Sequence, residues 1–339
     1  MKDKLLKILA RFSIIVISYL FLMLALIMYF NSPNSYHSED KRFIIEKGMT
    51  LRQVVNKLYE EKIIKNPTTF LYVGQLIKGL DPKVRYGEYF FEKNLSYYKI
   101  LHKMIRGNIF FRKITIAEGL STHMTIEIVD SSQGLIGKIP EEINEGSLLP
   151  ETYFYSYNDT KASIIRRMQD SMKKQLDELW ETRDLTIPIK TKEEALILAS
   201  IVEKETGLES ERGKVASVFI NRLRKGMKLQ SDPTIIYSFA FGDKKLERVI
   251  RMSDIQNHSK FNTYHIYGLP PTPICNPGIA SIKAVLNPIE TKFLYFVASG
   301  NGDHIFTSSL KEHNINVANY RKVLQKKLEV IENSTQKIQ

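Results

Sequence analysis

The chain is poor in cysteine, holding one, Cys275, among 339 residues. A lone thiol excludes an internal disulfide and a cysteine-built metal site. Histidine gives no better metal signal. His304 and His313 stand nine residues apart on different predicted elements, with no HxxxH spacing and no third ligand, so a metal is not expected. Nor is there a nucleic-acid-binding motif: the 49 Lys and Arg against 37 Asp and Glu give a net charge of +12, but the basic residues are spread along the chain. The charge excess therefore suits anionic lipid or cell-wall polymer at least as well as nucleic acid. With 43% apolar residues the chain can bury a full core, and its length suggests about two domains.

Long uncharged runs are also scarce, and the single one is informative. Phe12–Phe30 carries no charge and is long enough to cross a bilayer as a helix. Lys2, Lys4, Lys7 and Arg11 precede it, whereas Asn31–Asp40 holds no Lys or Arg, which places the N-terminus (residues 1–11) in the cytoplasm and the remainder outside. No small-x-small cleavage site follows, so an uncleaved anchor over 12–30 is expected, a cleaved signal peptide being the other reading. The polar residues 31–40 read as a short tether.

Beyond the tether a pattern recurs. Ile45–Thr50, Phe91–Ser96 and Ile116–Ser121 each present a strand end, a Gly or Asn turn, an apolar residue and a Thr or Ser able to cap a helix. Leu51, Val54, Val55 and Leu58 fit one amphipathic helix, Thr69–Ile77 a second, and Tyr86–Phe91 a closing strand. Later come predicted helices at Ala162–Trp180, Lys214–Arg224, Pro233–Phe239 and Gly278–Leu286, the last with Asn276 as its cap and Pro277 at its first position. Phe293–Ala298 and His304–Thr307 flank a glycine-containing turn as a hairpin. From Lys311 a basic amphipathic helix runs on, with a frayed tail at 331–339.

The chemistry concentrates at Thr191–Thr206. Thr191 followed by Glu194 has the form of a capping box. At 100° per residue Leu198, Ile201 and Val202 share a face, and Glu205 lands in the middle of it. Glu203 sits about 200° away, beside Ser200 and Lys204, toward the wetter side. A carboxyl on an apolar face resists ionisation and can hold a proton near neutral pH, as a general acid must. The plainer reading is a Glu at the stripe's edge that reaches solvent or pairs with Arg. Val215, Val218, Phe219 and Leu223 form a stripe that packs against this helix, with Asn221 and Arg222 riding beside it. Gln230, Ser231 and Asp232 precede Pro233, which sets Asp232 in an extended or turn segment where its side chain can bind a polar ligand or cap the next helix. Asn262, Thr263 and Tyr264 stand in polar surroundings before a loop stiffened by Pro270, Pro271 and Pro273.

The segments IVEKET at 201–206, FINRLRKGMKLQSDPT at 219–234, NTY at 262–264, GLPPTPICNPG at 268–278 and YFVASGNGDHIF at 295–306 stand in series. Together they closely resemble the membrane-bound endolytic murein transglycosylases, the YceG-like family, over nearly the whole chain. Glu205 is similar to the Glu of the Glu-Ser pair of lysozyme-like lytic transglycosylases, with Thr206 in place of Ser. The resemblance implies an α+β fold: a transmembrane helix, a small module over 41–113, and a mixed catalytic domain over 114–330 with a lysozyme-like glutamate helix. The strand-helix-helix-strand order of the small module resembles LysM modules, which grip N-acetylglucosamine glycans; a spacer is the alternative. The acidic-aromatic stretch Pro150–Tyr155 is expected to line the sugar cleft, with Glu151 and Tyr153 as contacts, although Tyr153, Phe154 and Tyr155 also suit a core. Asn221, Gln230, Ser231, Asp232, Asn262, Thr263 and Tyr264 are the other expected substrate contacts.

The implied reaction cleaves the bond between N-acetylmuramic acid and N-acetylglucosamine in nascent glycan, leaving 1,6-anhydro ends. Glu205 serves as acid and then base, with neither metal nor organic cofactor. The implied partners are peptidoglycan strands, inner-membrane lipid and peptidoglycan synthases, with the catalytic domain in the periplasm. A muramidase using Asp232 or Glu151 as a second carboxylate, and a non-catalytic glycan-binding scaffold, are the competing readings.

Overall fold

The computed structural model describes residues 2–32, 39–78, 83–240 and 248–336. Residues 33–38 of the expected tether and 337–339 of the expected tail lie outside them. The chain divides into two compact units, Met1–Lys113 with Phe154–Asp159, and Ile114–Tyr153 with Thr160–Gln339. Strand content is low. Helices carry most of an α+β fold whose strands form three two-stranded sheets.

In the first unit, α1 (Lys2–Asn31) contains Leu9–Tyr29, a stretch long and apolar enough by length and composition to cross a membrane. Strand β1 (Lys41–Ile45) pairs antiparallel with β2 (Gly87–Phe91), Phe43 standing opposite Tyr89. Between them lie α2 (Leu51–Glu60) and α3 (Pro67–Lys78), and α4 (Tyr97–Arg106) follows. The expected caps form. Thr50 accepts from the Gln53 amide while the Gln53 side chain accepts from the Thr50 amide, and Ser96 accepts from the Lys99 amide at 3.3 Å. Gly107 ends α4 at φ 70°, a left-handed conformation that glycine adopts without strain. Phe43, Val54, Leu58, Phe70, Phe91 and Leu101 make the core. Glu88, wholly enclosed, takes two hydrogen bonds from Arg112 at 2.6 and 3.0 Å, the pairing that a buried carboxylate requires.

The chain passes into the second unit along β3 (Arg112–Thr115), followed by α5 (Thr122–Asp130), β4 (Thr152–Tyr155) and the long α6 (Lys161–Glu181). Ser121 and Thr160 cap α5 and α6. Next come α7 (Lys192–Glu205), α8 (Glu209–Arg224), α9 (Asp232–Ala240), the single-turn α10 (Met252–Ile255) and α11 (Ile279–Leu286). A hairpin of β5 (Tyr295–Ala298) and β6 (His304–Thr307) precedes α12 (Leu310–Gln336). Helix α7 is the axis of this unit, packed against α6, α8, α9 and α11. Leu198, Ile201 and Val202 meet Val215, Phe219, Ile282 and Val285 in one core.

Four local expectations are corrected. Helix α7 is wet only toward its ends, at Glu193 and Lys204: Ala195 and every residue from Ile197 to Val202, Ser200 included, are buried, because a helix packed among other helices needs little polar face. Only half of the expected capping box forms. The Thr191 hydroxyl accepts from the Glu194 amide at 3.1 Å, but the Glu194 carboxylate reaches past it to the Lys190 amide at 2.6 Å. Asn276 caps nothing; its amide oxygen accepts from the Leu148 amide at 2.9 Å, and the cap position of α11 falls on Gly278. Phe154 is exposed rather than core, since it alternates with the buried Tyr153 and Tyr155 along β4.

Candidate active site

Glu205 is the last residue of α7. Thr206 ends the helix in an extended conformation, and its hydroxyl accepts from the Leu208 amide at 3.1 Å, so the chain turns sharply into α8. Glu205 thus lies deep in the fold, at the negative end of a helix, with part of its surface open to a pocket of about 380 Å³. That placement disfavours a charged carboxylate. Its carboxyl is accordingly raised to about 7: burial is the main cause and the nearby Asp232 adds to it, while a hydrogen bond from Ser231 and the charge of Arg222 oppose it.

The opposing hydrogen bond comes from a loop 26 residues away, the Ser231 hydroxyl donating to Glu205 Oε1 at 2.5 Å. Thr263 holds this loop. Its carbonyl accepts from the Gln230 amide at 3.1 Å, and its hydroxyl from the Ser231 amide at 2.9 Å. Thr234 closes the clamp, donating to the Ser231 carbonyl at 2.6 Å. Gln230 itself adopts φ 50°, a left-handed conformation that a non-glycine residue holds only when its surroundings fix it. Asp232 does not cap α9 with its side chain: its carboxylate accepts from the Tyr264 hydroxyl at 2.6 Å. Burial, and then Asp232, push the Tyr264 phenol far up, so it stays a donor.

Arg222 brings a buried cation to the pocket. Its Nε donates to the Leu294 carbonyl at 2.7 Å, its Nη1 to the Leu229 carbonyl at 2.6 Å, and its guanidinium stands 5.3 Å from the Tyr295 ring centroid. The pocket is completed by Tyr295 and Phe296 of β5 and by Leu310, His313 and Asn314 of α12. Of the residues singled out in the sequence, Glu205, Gln230, Asp232 and Tyr264 line this pocket, and Ser231 touches Glu205. The others, Glu151 apart, serve the frame. Asn221 donates to the Thr291 and Phe293 carbonyls at 2.9 and 3.0 Å, and Asn262, fully buried rather than in polar surroundings, donates to the Ile255 and Asn257 carbonyls at 2.9 and 2.7 Å. Thr263 is likewise buried and acts on the loop. The Tyr153 hydroxyl donates to the Leu149 carbonyl at 2.8 Å inside the protein, and Glu151 is exposed and outside the pocket lining. Sequence reasoning missed the contribution of α12. The only available signal was that Tyr295 and Phe296, on the hairpin before α12, open the last of the segments that stand in series.

Among the described residues, no group of three or more His, Cys, Asp or Glu side chains is placed to hold a metal ion. What the site does hold is one protonatable carboxyl with a hydroxyl donor, a second carboxylate tied to a phenol, and a cation. Such a site is equipped to give a proton to a ligand and take one back.

This arrangement sits within an α+β chain that belongs to the YceG-like family, whose sequence model matches residues 43–319. A relative from Bacillus subtilis (strain 168), named endolytic murein transglycosylase, is 33% identical over 304 residues, covering 80% of this chain and 82% of its own length. The protein of the same name from Streptococcus pneumoniae serotype 2 (strain D39) is 25% identical over 327 residues, covering 81% of this chain but 57% of its own length. A crystal structure of a yceG-like protein from Listeria monocytogenes is 27% identical and aligns over 82% of this chain and 99% of that one, with a TM-score of 0.49.

Proposed function

We propose that this chain is an endolytic murein transglycosylase, cutting the bond between N-acetylmuramic acid and N-acetylglucosamine within nascent glycan strands. The observation that carries the reading is the Glu205 carboxyl, raised to about 7 at the pocket floor and therefore able to exist in either protonation state near neutral pH. Glu205 protonates the glycosidic oxygen as the C1–O bond breaks, freeing the N-acetylglucosamine hydroxyl. The resulting carboxylate then takes the proton of the muramyl C6 hydroxyl while O6 bonds to C1, closing the 1,6-anhydro ring. The proton is back on Glu205 and water is not consumed. The Ser231 hydroxyl stabilises the carboxylate that exists between the two steps. The substrate's own acetamido group can support charge at C1, so no second acid and no cofactor enter the scheme.

Asp232 supports one competing reading, because it supplies a second carboxylate to the same pocket, as a hydrolytic muramidase requires. Glu151, outside the pocket lining, does not. The decisive measurement is mass spectrometry of glycan digested by the full-length protein. Anhydro-ended fragments support transglycosylation, and fragments heavier by one water support hydrolysis. A Glu205→Gln protein that cuts as fast as wild type would remove Glu205 from the reaction, whereas a wild type that releases no fragments and a Glu205→Gln variant that leaves every cellular effect intact would leave only a glycan-binding scaffold.

The uncharged stretch of α1 and the Lys and Arg residues before Phe12 support a single-pass anchor in the bacterial inner membrane, with the N-terminus cytoplasmic and the pocket periplasmic. Cutting near that membrane suits termination of glycan elongation beside the synthases that make the strands. The β1-α2-α3-β2 order is the feature that supports a LysM-like, glycan-contacting role for the first unit.

A further inference from the structure

The part of the pocket built by β5 and α12 takes no role in the chemistry above, yet one of its side chains is unusually placed. The His313 ring stacks on Tyr295, with centroids 5.2 Å apart and planes at 26°, and Tyr295 in turn carries the Arg222 guanidinium. Nδ1 of His313 is enclosed and has no hydrogen-bond partner among the described residues, whereas Nε2 is not enclosed in this way. The accessible edge of a ring that lines the pocket is therefore the Nε2 edge. An enclosed N–H without an acceptor is the costlier orphan, which assigns the proton to Nε2 and leaves Nδ1 bare. Burial and then the Arg222 charge hold the imidazole's pKa below its ordinary value, so at neutral pH the ring keeps one proton. The result is a single uncharged N–H donor on the accessible edge of a ring that lines the pocket.

Beside it stands Leu310, three residues earlier on α12, also lining the pocket and 54% exposed. A donor and an apolar side chain at adjacent positions suit a ligand group with an acceptor and a methyl on one small plane. A sugar hydroxyl would leave Leu310 unused; an acetamido group uses both. We propose that His313 is a substrate-positioning residue, donating its Nε2–H to the acetamido carbonyl of an N-acetylated sugar while Leu310 receives that group's methyl. The inference rests on the pocket binding glycan and deepens that reading by assigning the α12 wall to the acetamido group.

The test compares full-length wild type, His313→Phe and His313→Gln on glycan and on the same glycan after partial removal of its N-acetyl groups. Phe keeps the stack on Tyr295 but removes the donor; Gln carries its amide nitrogen near the place of Nε2. A hydrogen bond of ordinary net strength predicts KM higher by about three- to tenfold for His313→Phe, with kcat within about twofold and the melting temperature unchanged. His313→Gln should recover most of the loss. Removing acetyl groups should raise KM for wild type more than for His313→Phe, since the variant has already lost the contact. An equal effect on both proteins, or a His313→Phe KM equal to that of wild type, overturns the proposal. If His313→Phe melts early, His313→Gln decides: retained acetyl dependence supports the contact, and kcat and KM moving together without it overturns it. Absence of anhydro ends from the wild-type digest would instead defeat the reading of the reaction, and glycan affinity measured in a Glu205→Gln background with and without His313→Phe tests the contact separately.

Discussion

Two carboxylates stand two residues apart on α7 and meet opposite surroundings. The Glu203 side chain, only 6% exposed, accepts from the Gly278 amide at 2.9 Å and the Ser281 hydroxyl at 2.7 Å, with Arg212 at 3.6 Å. It binds the start of α11, and the amides there need an acceptor. Glu205 has one hydroxyl donor, a second carboxylate nearby and an open pocket. Burial alone therefore does not make a carboxyl a proton donor. Glu203 is enclosed and fully partnered, which is the condition of a structural anion; Glu205 is enclosed with too few donors to hold its charge, which is the condition of an acid.

This contrast can be broken at several points. The largest effect belongs to Glu205→Gln, which should lower the rate of anhydro-end formation by about 10²–10⁴-fold, the usual worth of a positioned acid and base. The same change should stabilise the fold at alkaline pH. Because the folded-state pKa is raised from 4.5 to about 7, the folded protein holds the proton more tightly than the unfolded chain, and wild-type stability declines as pH rises through that window. Glu205→Gln removes the decline, a gain of at most about 3 kcal/mol above pH 7 that is visible by thermal melting. Glu203→Gln should act in the opposite sense. It leaves Arg212 without its enclosed partner and should lower stability by about 3 kcal/mol, measurable by denaturant unfolding.

Smaller effects sharpen the Glu205 side. Catalytic efficiency should fall as pH rises past about 7, where Glu205 loses its proton. Ser231→Ala removes the donor that favours the carboxylate and should move that alkaline limb upward by about half to one pH unit. Asp232→Asn removes a neighbouring negative charge and should move it downward by less, with anhydro ends still formed. Water-containing ends from wild type that vanish in Asp232→Asn would transfer the assignment to the two-carboxylate reaction.

Helix starts were legible because capping is a matter of neighbouring residues: Thr50, Ser96 and Ser121 sit where the strand-turn-helix pattern puts them. The position of Glu205 on an apolar face was also legible, since Leu198, Ile201 and Val202 are one turn or two away. The wet side assigned to Ser200 and Glu203 was not, because nothing in a helix's own periodicity reports a second and third helix packing on its back. Asn221, Asn262 and Thr263 show the same limit. Their residue types suited a sugar contact equally well, and only the position of the Thr291, Ile255 and Ser231 backbone gave them other work.

Alone, the amino-acid order determined where the capped helices begin, though not α8, which starts at Glu209 rather than at the expected Lys214; it also marked which run could lie in a bilayer and which glutamate would end an apolar helix, because these depend on residues within a few turns. Tertiary structure decided that Ser231 would reach Glu205, that Glu203 would be neutralised by α8 and α11, and that α12 would furnish a wall of the pocket. The state of a carboxyl is set by every dipole and charge brought within a few ångströms, and those arrive from segments far away along the chain.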